Sequence, residues 1–431
     1  MFKAHRDAFM KAMEPGSAAF FPGAPVRNRS NDVDYEYRPD SDLYYLTGFP
    51  EPGAAAALLP GHAAHPFVLF VRPRKKEAEI WTGRRTGVEG AVKDWGAAAA
   101  FSVDELETRL EKLLEGRESL YYPLGRYPEA DAVVIRAIQN LRGRRRQGTA
   151  YPVRILDPVE ILHEMRLFKH EEELARIRRA SRISSEAHEA AMRAVRPGMA
   201  EYEVQAVIEY HFKKGGAAFP GYPTIAGSGP NATILHYTEN NRTMKAGELL
   251  LVDAGGEYGC YTADITRTYP VGGKFSREQA ALYDVVLRAQ AECIALARPG
   301  TSFQAVHDRA VEILTEGLLQ AGLLNGDLRG NIEKGFYKKY FMHRTSHWLG
   351  IDVHDVGKYK LRDRWRALEP GMVLTVEPGL YVAEDEAGAP EAWRGIGIRI
   401  EDDVLVTPSG PEVLTTAPKA REELERIVGR G

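Results

Sequence analysis

The sequence is poor in the features that mark several large classes of protein. It holds two cysteines in 431 residues, Cys260 and Cys293, so a disulfide framework is excluded and no cysteine pair has zinc-ligand spacing. A reducing compartment is expected. No apolar run approaches the length of a membrane span, and the opening "MFKAHRDAFMKAMEPGS" lacks an uninterrupted apolar core with a small-residue cleavage site. The chain is therefore expected in the cytoplasm. A basic excess is missing too. The 57 Lys and Arg stand against 60 Asp and Glu, for a formal net charge of −3, which leaves no overall field for nucleic acid or an anionic membrane. The one basic run, "RGRRRQG" at 142–148, reads as a solvated loop. What remains is ordinary globular composition, 44% hydrophobic and 27% charged, in a chain long enough for more than one core.

Up to about Leu156, strands and helices alternate. "AAAALLP" and "HPFVLFVRP" read as buried strands, while "SVDELETRLEKLLEG", opened by Ser102, and "DAVVIRAIQNLRG" read as amphipathic helices. This predicts a small α/β domain over 1–158. A Pro-punctuated connector then leads into a long charged helix with apolar positions at Leu174, Ile177 and Ile183. The second domain, 159–431, contains an internal repeat. "RPGMAEYEVQAVIEY" from Arg196 is echoed by "RPGTSFQAVHDRAVEIL" from Arg298, and "KAGELLLVDAG" from Lys245 by "EPGMVLTVEPG" from Glu369. In each copy one helix ends at R-P-G, a second follows, and a glycine turn feeds a strand that ends in an acid beside a glycine. Asp253 and Glu377 occupy matching places, and a pseudo-two-fold axis would bring those strand ends together.

The stretch "LLLVDAGGEYGCYTADITRTYPV" at 249–271 reads as two strands joined by a glycine-rich turn, with Asp253 and Asp264 at their ends. Carboxylates in buried strands are costly to desolvate unless paired, protonated or bound to a cation. Downstream lie "HRTSHWLGIDVHDVG", with His343, His347 and His354, and "RGIGIRIEDDVLV", in which Arg399 and Glu401 share a strand face, so that the guanidinium is placed to orient the carboxylate. Asp253, Asp264, Glu377 and Glu401 supply four negative charges and His347 a neutral nitrogen. Two divalent cations balance those charges. An oxygen-rich set with one imidazole suits Mn²⁺ first, with Co²⁺, Fe²⁺ or Zn²⁺ as alternatives.

The ordered motifs "ILHY", "LLLVDAGGEYGCYTADITRTYPV", "SHWLGIDVHD", "MVLTVEPGLY" and "GIGIRIEDD" resemble the metal-dependent peptidases of the pita-bread fold, most closely the Xaa-Pro aminopeptidases, or aminopeptidase P. "YRPDSDLYYLTGFPEPGAAAALLPG" at 37–61 is similar to the opening of that family's N-terminal domain, so the resemblance covers nearly the whole chain. It implies an α/β N-terminal domain and an α+β pita-bread catalytic domain. It makes Asp253, Asp264, His347, Glu377 and Glu401 the metal ligands, with Asp264 and Glu401 bridging two metals and a shared water or hydroxide as nucleophile. It gives His236 and His354 contacts to the scissile peptide and the tetrahedral intermediate, and Glu377 the water's proton. His343, Tyr381 and Arg399 line or support the site. The implied partners are peptides with proline second and further copies of the chain, as a dimer or tetramer.

Proline explains why such an enzyme is specialised. Its tertiary amide has no N–H and its ring fixes φ, so proteases that grip an extended backbone lose a contact. Two other hydrolase readings share the motifs: a prolidase restricted to Xaa-Pro dipeptides, and a creatinase-like amidinohydrolase, which the full ligand set disfavours. A non-catalytic peptide-binding protein on the same fold is the reading from another class.

Overall fold

The computed structural model describes residues 1–430, and the chain divides into two compact units, Met1–Arg166 and Leu167–Gly431. The first is built on a six-stranded mixed sheet in the spatial order Ala99–Ser102, Phe67–Val71, Ala55–Leu58, Ser17–Pro22, Ser119–Tyr121, Arg154–Leu156. Ala55–Leu58 runs antiparallel to both its neighbours, and the other pairings are parallel. The expected strands "AAAALLP" and "HPFVLFVRP" form Ala55–Leu58 and Phe67–Val71. The expected helices form Leu106–Leu114, preceded by a short turn whose Asp104 N–H donates to the Ser102 hydroxyl, and Pro128–Gly143. Leu110, Leu113 and Leu114 pack with Val134, Ile138 and Leu141 on Phe20, Val68 and Phe70, as their 3.6-residue and two-residue spacings require. The basic run at 142–148 finishes the second helix and continues as a short turn, Arg145–Gln147. Its arginines are largely exposed, with Arg144 paired to Glu111.

The second unit holds the repeat. In the first half, helices Glu171–Ala194 and Glu201–Gly215 pack together, followed by a sheet in the order Ile225–Ser228, Leu249–Asp253, Thr266–Pro270. In the second half, helices Arg277–Leu296 and Phe303–Gln320 pack together, followed by a sheet in the order Val373–Val376, Asp402–Thr407, Gly410–Val413. Both sheets are antiparallel. The two R-P-G turns match in conformation as well as in sequence: Gly198 has φ +91° and Gly300 φ +86°, a left-handed backbone that glycine enters without strain. Leu174, Ile177 and Ile183 are buried as the helical period predicts.

One expectation needs refining. Residues 249–271 form two strands that do pair, but the connection is more than a turn. A small hairpin, Gly256–Tyr258 with Tyr261–Thr262, rises between them, and Asp264 lies in the return segment before Thr266. Gly255 allows this. A Cβ on Gly255 would sit 1.8 Å from the Ala263 carbonyl oxygen, so the close approach that carries Asp264 back toward Asp253 needs a residue without a side chain.

Candidate metal centre

Each half of the repeat delivers two acids at the ends of a strand pair. Asp253 closes its strand opposite Thr266, and Asp264 stands just before that partner strand. Glu377 directly follows Val373–Val376, and Glu401 directly precedes the partner Asp402–Thr407. The halves are stitched where the acids meet: the Glu401 N–H donates to Thr266 O (3.1 Å), and Thr268 exchanges bonds with the Arg399 backbone (3.1 and 3.2 Å). The four carboxylates therefore open into one cavity of about 830 Å³. Nine of the ten residues singled out above line it. The tenth, Tyr381, is buried behind the wall and reaches the site through His343 and Arg399.

Asp264, His347 and Glu401 present ligand atoms all within 4.8 Å of one another. His347 Nε2 is 3.3 Å from Asp264 Oδ2 and 3.5 Å from Glu377 Oε1. Its other nitrogen, Nδ1, donates to the Trp348 carbonyl at 2.9 Å, which in a neutral ring leaves Nε2 as a lone pair facing carboxylate oxygens. Acceptors aimed at acceptors need a cation between them, either a proton or a metal ion. Burial alone would lower the His347 pKa, but the Asp264 hydrogen bond and the Glu377 charge raise it to about 9. Glu377 is pushed up to about 7 by burial, with Asp264 and Asp253 adding to the shift against His347 and Arg399. Glu401 is held well above the usual carboxylate range by burial and by Asp264, Glu377 and Asp253. Asp253 is raised by burial and Asp264, against Arg399. Four acids facing one guanidinium form a donor set that fits divalent cations.

Around this core runs an ordered chain of hydrogen bonds. Arg399 Nη2 donates to Asp253 Oδ2 (2.6 Å) and Nη1 to Tyr381 Oη (2.9 Å), and the Tyr381 hydroxyl donates to His343 Nε2 (2.8 Å). His343 Nδ1 then donates to the Arg344 carbonyl (2.7 Å). Both nitrogens of His343 are therefore engaged within the protein. Burial and the Arg399 charge lower its pKa to about 3, so the ring stays neutral. The direct contact expected between Arg399 and Glu401 is replaced by a relay. Arg399 Nε donates to Thr266 Oγ1 (3.1 Å), whose hydroxyl donates to Glu401 Oε2 (2.6 Å), because the guanidinium reaches across to Asp253 instead. His354 meets His347 edge to face, with ring centroids 4.5 Å apart. Burial, followed by the His347 charge, lowers its pKa. His236 lines the cavity as an exposed side chain.

Three residues were not legible beforehand. Tyr222 places its hydroxyl 2.6 Å from both Asp253 Oδ1 and Asp264 Oδ1. Thr266 carries the relay just described. Asp403, fully buried, accepts the Asp264 backbone N–H on both oxygens (3.2 Å each) and the Ser181 hydroxyl on Oδ2 (3.2 Å). Tyr222 is one of 20 tyrosines. Its only signal is the register that sets Ile225 opposite Asp253, which is a property of the sheet.

The chain is similar to known proteins along nearly its whole length. The profile of metallopeptidase family M24 matches residues 175–408, and that of the aminopeptidase P N-terminal domain matches residues 2–121. The chain is 47% identical to the Xaa-Pro aminopeptidase of Escherichia coli K12 over 429 residues, covering 99% of this chain and 97% of that one. It is 33% identical to human Xaa-Pro aminopeptidase 3 over 410 residues, covering 94% and 79%. Aminopeptidase PepP of Pseudomonas aeruginosa superposes with a TM-score of 0.98 at 46% identity, covering 99% and 97%. Zinc-substituted E. coli aminopeptidase P in complex with product superposes at 0.96 and 47%, with the same coverage. With the ordered motifs, the duplicated fold and the acid cluster in one cavity, the chain belongs to metallopeptidase family M24, and within it to the Xaa-Pro aminopeptidases.

Proposed function

We propose that this protein removes the N-terminal residue from peptides with proline in second position, with Asp253, Asp264, His347, Glu377 and Glu401 holding two divalent cations, Mn²⁺ foremost. The observation that carries the reading is the convergence of four carboxylates and one imidazole lone pair on a single cavity. Divalent ions bound there supply Lewis acidity, polarising the scissile carbonyl and acidifying the attacking water. The chain's own groups do the rest. Glu377, which lines the cavity beside His347, takes the water's proton on a carboxylate oxygen and returns it to the proline nitrogen, which must be protonated to leave as an amine. His354 donates an N–H to the developing oxyanion, and His236 steadies the peptide from the cavity wall. Arg399 and Tyr381 hold Asp253 and His343 in position, and Tyr222 ties Asp253 to Asp264. The family resemblance also supports a homo-oligomer, dimer or tetramer, which light scattering of the purified protein would test.

The activity test uses Mn²⁺-loaded protein with Ala-Pro, Ala-Pro-Ala-Ala and its N-acetylated form, followed by chromatography. Release of alanine from the tetrapeptide and none from the acetylated peptide is expected. Cleavage of the dipeptide alone would make the protein a prolidase, and no cleavage with metal bound would favour a binding protein.

A further inference from the structure

Besides the acids, the same cavity is walled by aromatic rings and a cation that none of the described carboxylates pairs with. Phe303, Tyr359 and Trp365 line it together with Arg344. Phe303 lies 4.9 Å from Tyr359 and 6.3 Å from Trp365 between ring centroids. The Arg344 guanidinium sits 4.7 Å from the Trp365 ring centroid, and its Nη2 donates to Gln304 Oε1 at 2.8 Å. Among the described residues no carboxylate lies within ion-pair distance of it. The nearest acid in this network, Asp308, accepts from the amide nitrogen of Gln304 (2.6 Å) and is one step removed. A second cation crowds the same indole. Lys360, paired across a short hairpin with Trp365, places its ammonium 4.6 Å from the ring centroid. That hairpin reads "KYKLRDRWR" at 358–366, with five cations and one acid.

A cation stacked on an aromatic ring is well placed for an ion that it does not yet hold. The ring fixes the guanidinium plane, the Gln304 bond uses one N–H, and the remaining N–H groups are available to an acceptor. Position then selects the kind of anion. A peptide carries its ammonium at the end to be cut and any carboxylates further along. Arg344 repels the first and attracts the second, whether or not bound cations neutralise the acids at the other end. A smaller cavity of about 480 Å³ shares His343 and Arg344 with the first.

Resting on the aminopeptidase reading, we propose that Arg344, fixed by Trp365 and Gln304, selects peptides that carry a carboxylate on the proline side of the scissile bond. The carboxylate is either an acidic side chain shortly after proline or the C-terminus of a short peptide. Arg344 is then a specificity-determining residue.

The test compares neutral and acidic partners in Mn²⁺-loaded protein. Ala-Pro-Glu-Ala-amide against Ala-Pro-Gln-Ala-amide reads the side-chain source, and Ala-Pro-Ala-Ala against its C-terminal amide reads the chain terminus. Wild type should favour the acid in kcat/KM by about three- to tenfold, the range of a partly exposed charge-assisted contact. The preference should shrink as salt is raised through about 0.5 M. Arg344→Met should bring the ratio to about one, and Arg344→Lys should keep part of it. Reading a ratio cancels any general change in turnover. Calorimetry with the leaving fragments Pro-Glu-amide and Pro-Gln-amide measures the same preference without bond cleavage. A silent enzyme would therefore refute the aminopeptidase reading while the inference is still decided. A wild-type ratio of one on both sources, or a ratio that survives Arg344→Met, overturns the proposal.

Discussion

Glu401 and Asp402 are neighbours in the chain and both carboxylates are fully buried, yet the protein treats them in opposite ways. Asp402 points into a balanced cluster. Arg267 donates to its Oδ1 (2.6 Å) while also bonding the carbonyls of Thr266, Glu401 and Ala417, and Lys419, Gln290 and Thr415 complete the shell. Burial alone would raise its pKa, but Arg267 and Lys419 bring it down to about 2. Glu401 points to the other face, among Asp264, Glu377 and Asp253, and is held well above its ordinary value. One strand thus separates a carboxylate that the protein has neutralised with its own cations from one that it groups with three other acids, as the proposed metal site requires. Buried charge is used as structure on one face and as a binding site on the other.

The sharpest way to break this comparison is to remove the acids of the open face. Asp264→Ala and Glu401→Ala should each lose the metal and, with it, turnover below detection, while circular dichroism stays native. Retention of two metals per chain and near-normal turnover would refute the ligand assignment. On the closed face the loss should be structural. Arg267→Met strands Asp402 in the interior and should cost about 3–5 kcal/mol in denaturant unfolding, whereas Glu401→Gln in metal-free protein should leave stability unchanged or raise it. Equal destabilisation by the two would mean that the faces do not differ.

His354→Ala sharpens the boundary between metal and substrate groups. Both metals should remain by elemental analysis, and kcat should fall by roughly two to four powers of ten if its N–H acts mainly in the transition state. Tyr222→Phe removes a proton shared by Asp253 and Asp264, and metal affinity should weaken by about tenfold in a chelator titration, as for other residues that orient ligands. An unchanged affinity would reduce Tyr222 to a wall of the cavity.

The smallest effect is in pH dependence, and its sign differs between the faces. The folded pKa of Glu377, about 7, lies above its ordinary 4.5. Its contribution to the stability of metal-free protein is therefore present below 4.5 and lost as pH rises toward 7. The folded pKa of Asp402, about 2, lies below its ordinary 3.8. Its contribution is present above 3.8 and lost as pH falls through about 2. Thermal melts of metal-free protein should decline between pH 4.5 and 7, and Glu377→Gln should flatten that decline. A decline that persists in this variant would place its origin elsewhere.

What the sequence determined by itself is what lies close along the chain or repeats within it. Strand and helix periods placed two strands and two helices of the first unit. The paired R-P-G and strand-plus-acid echoes disclosed the duplication. Residue type and order put forward four carboxylates and one imidazole as a candidate ligand set, since few other arrangements tolerate so many acids at strand ends. Only the tertiary structure decided which atoms meet. Arg399 reaches Asp253 and leaves Glu401 to Thr266, Tyr222 closes the gap between two aspartates, and Asp403 braces Asp264 from behind. Arg344 is left over an indole with, among the described residues, no carboxylate at ion-pair distance. These contacts depend on strand register and on the packing of one half of the repeat against the other. A one-residue shift in register would turn Arg399, Thr266 and Asp403 to the opposite face, and no local pattern in the sequence records that choice.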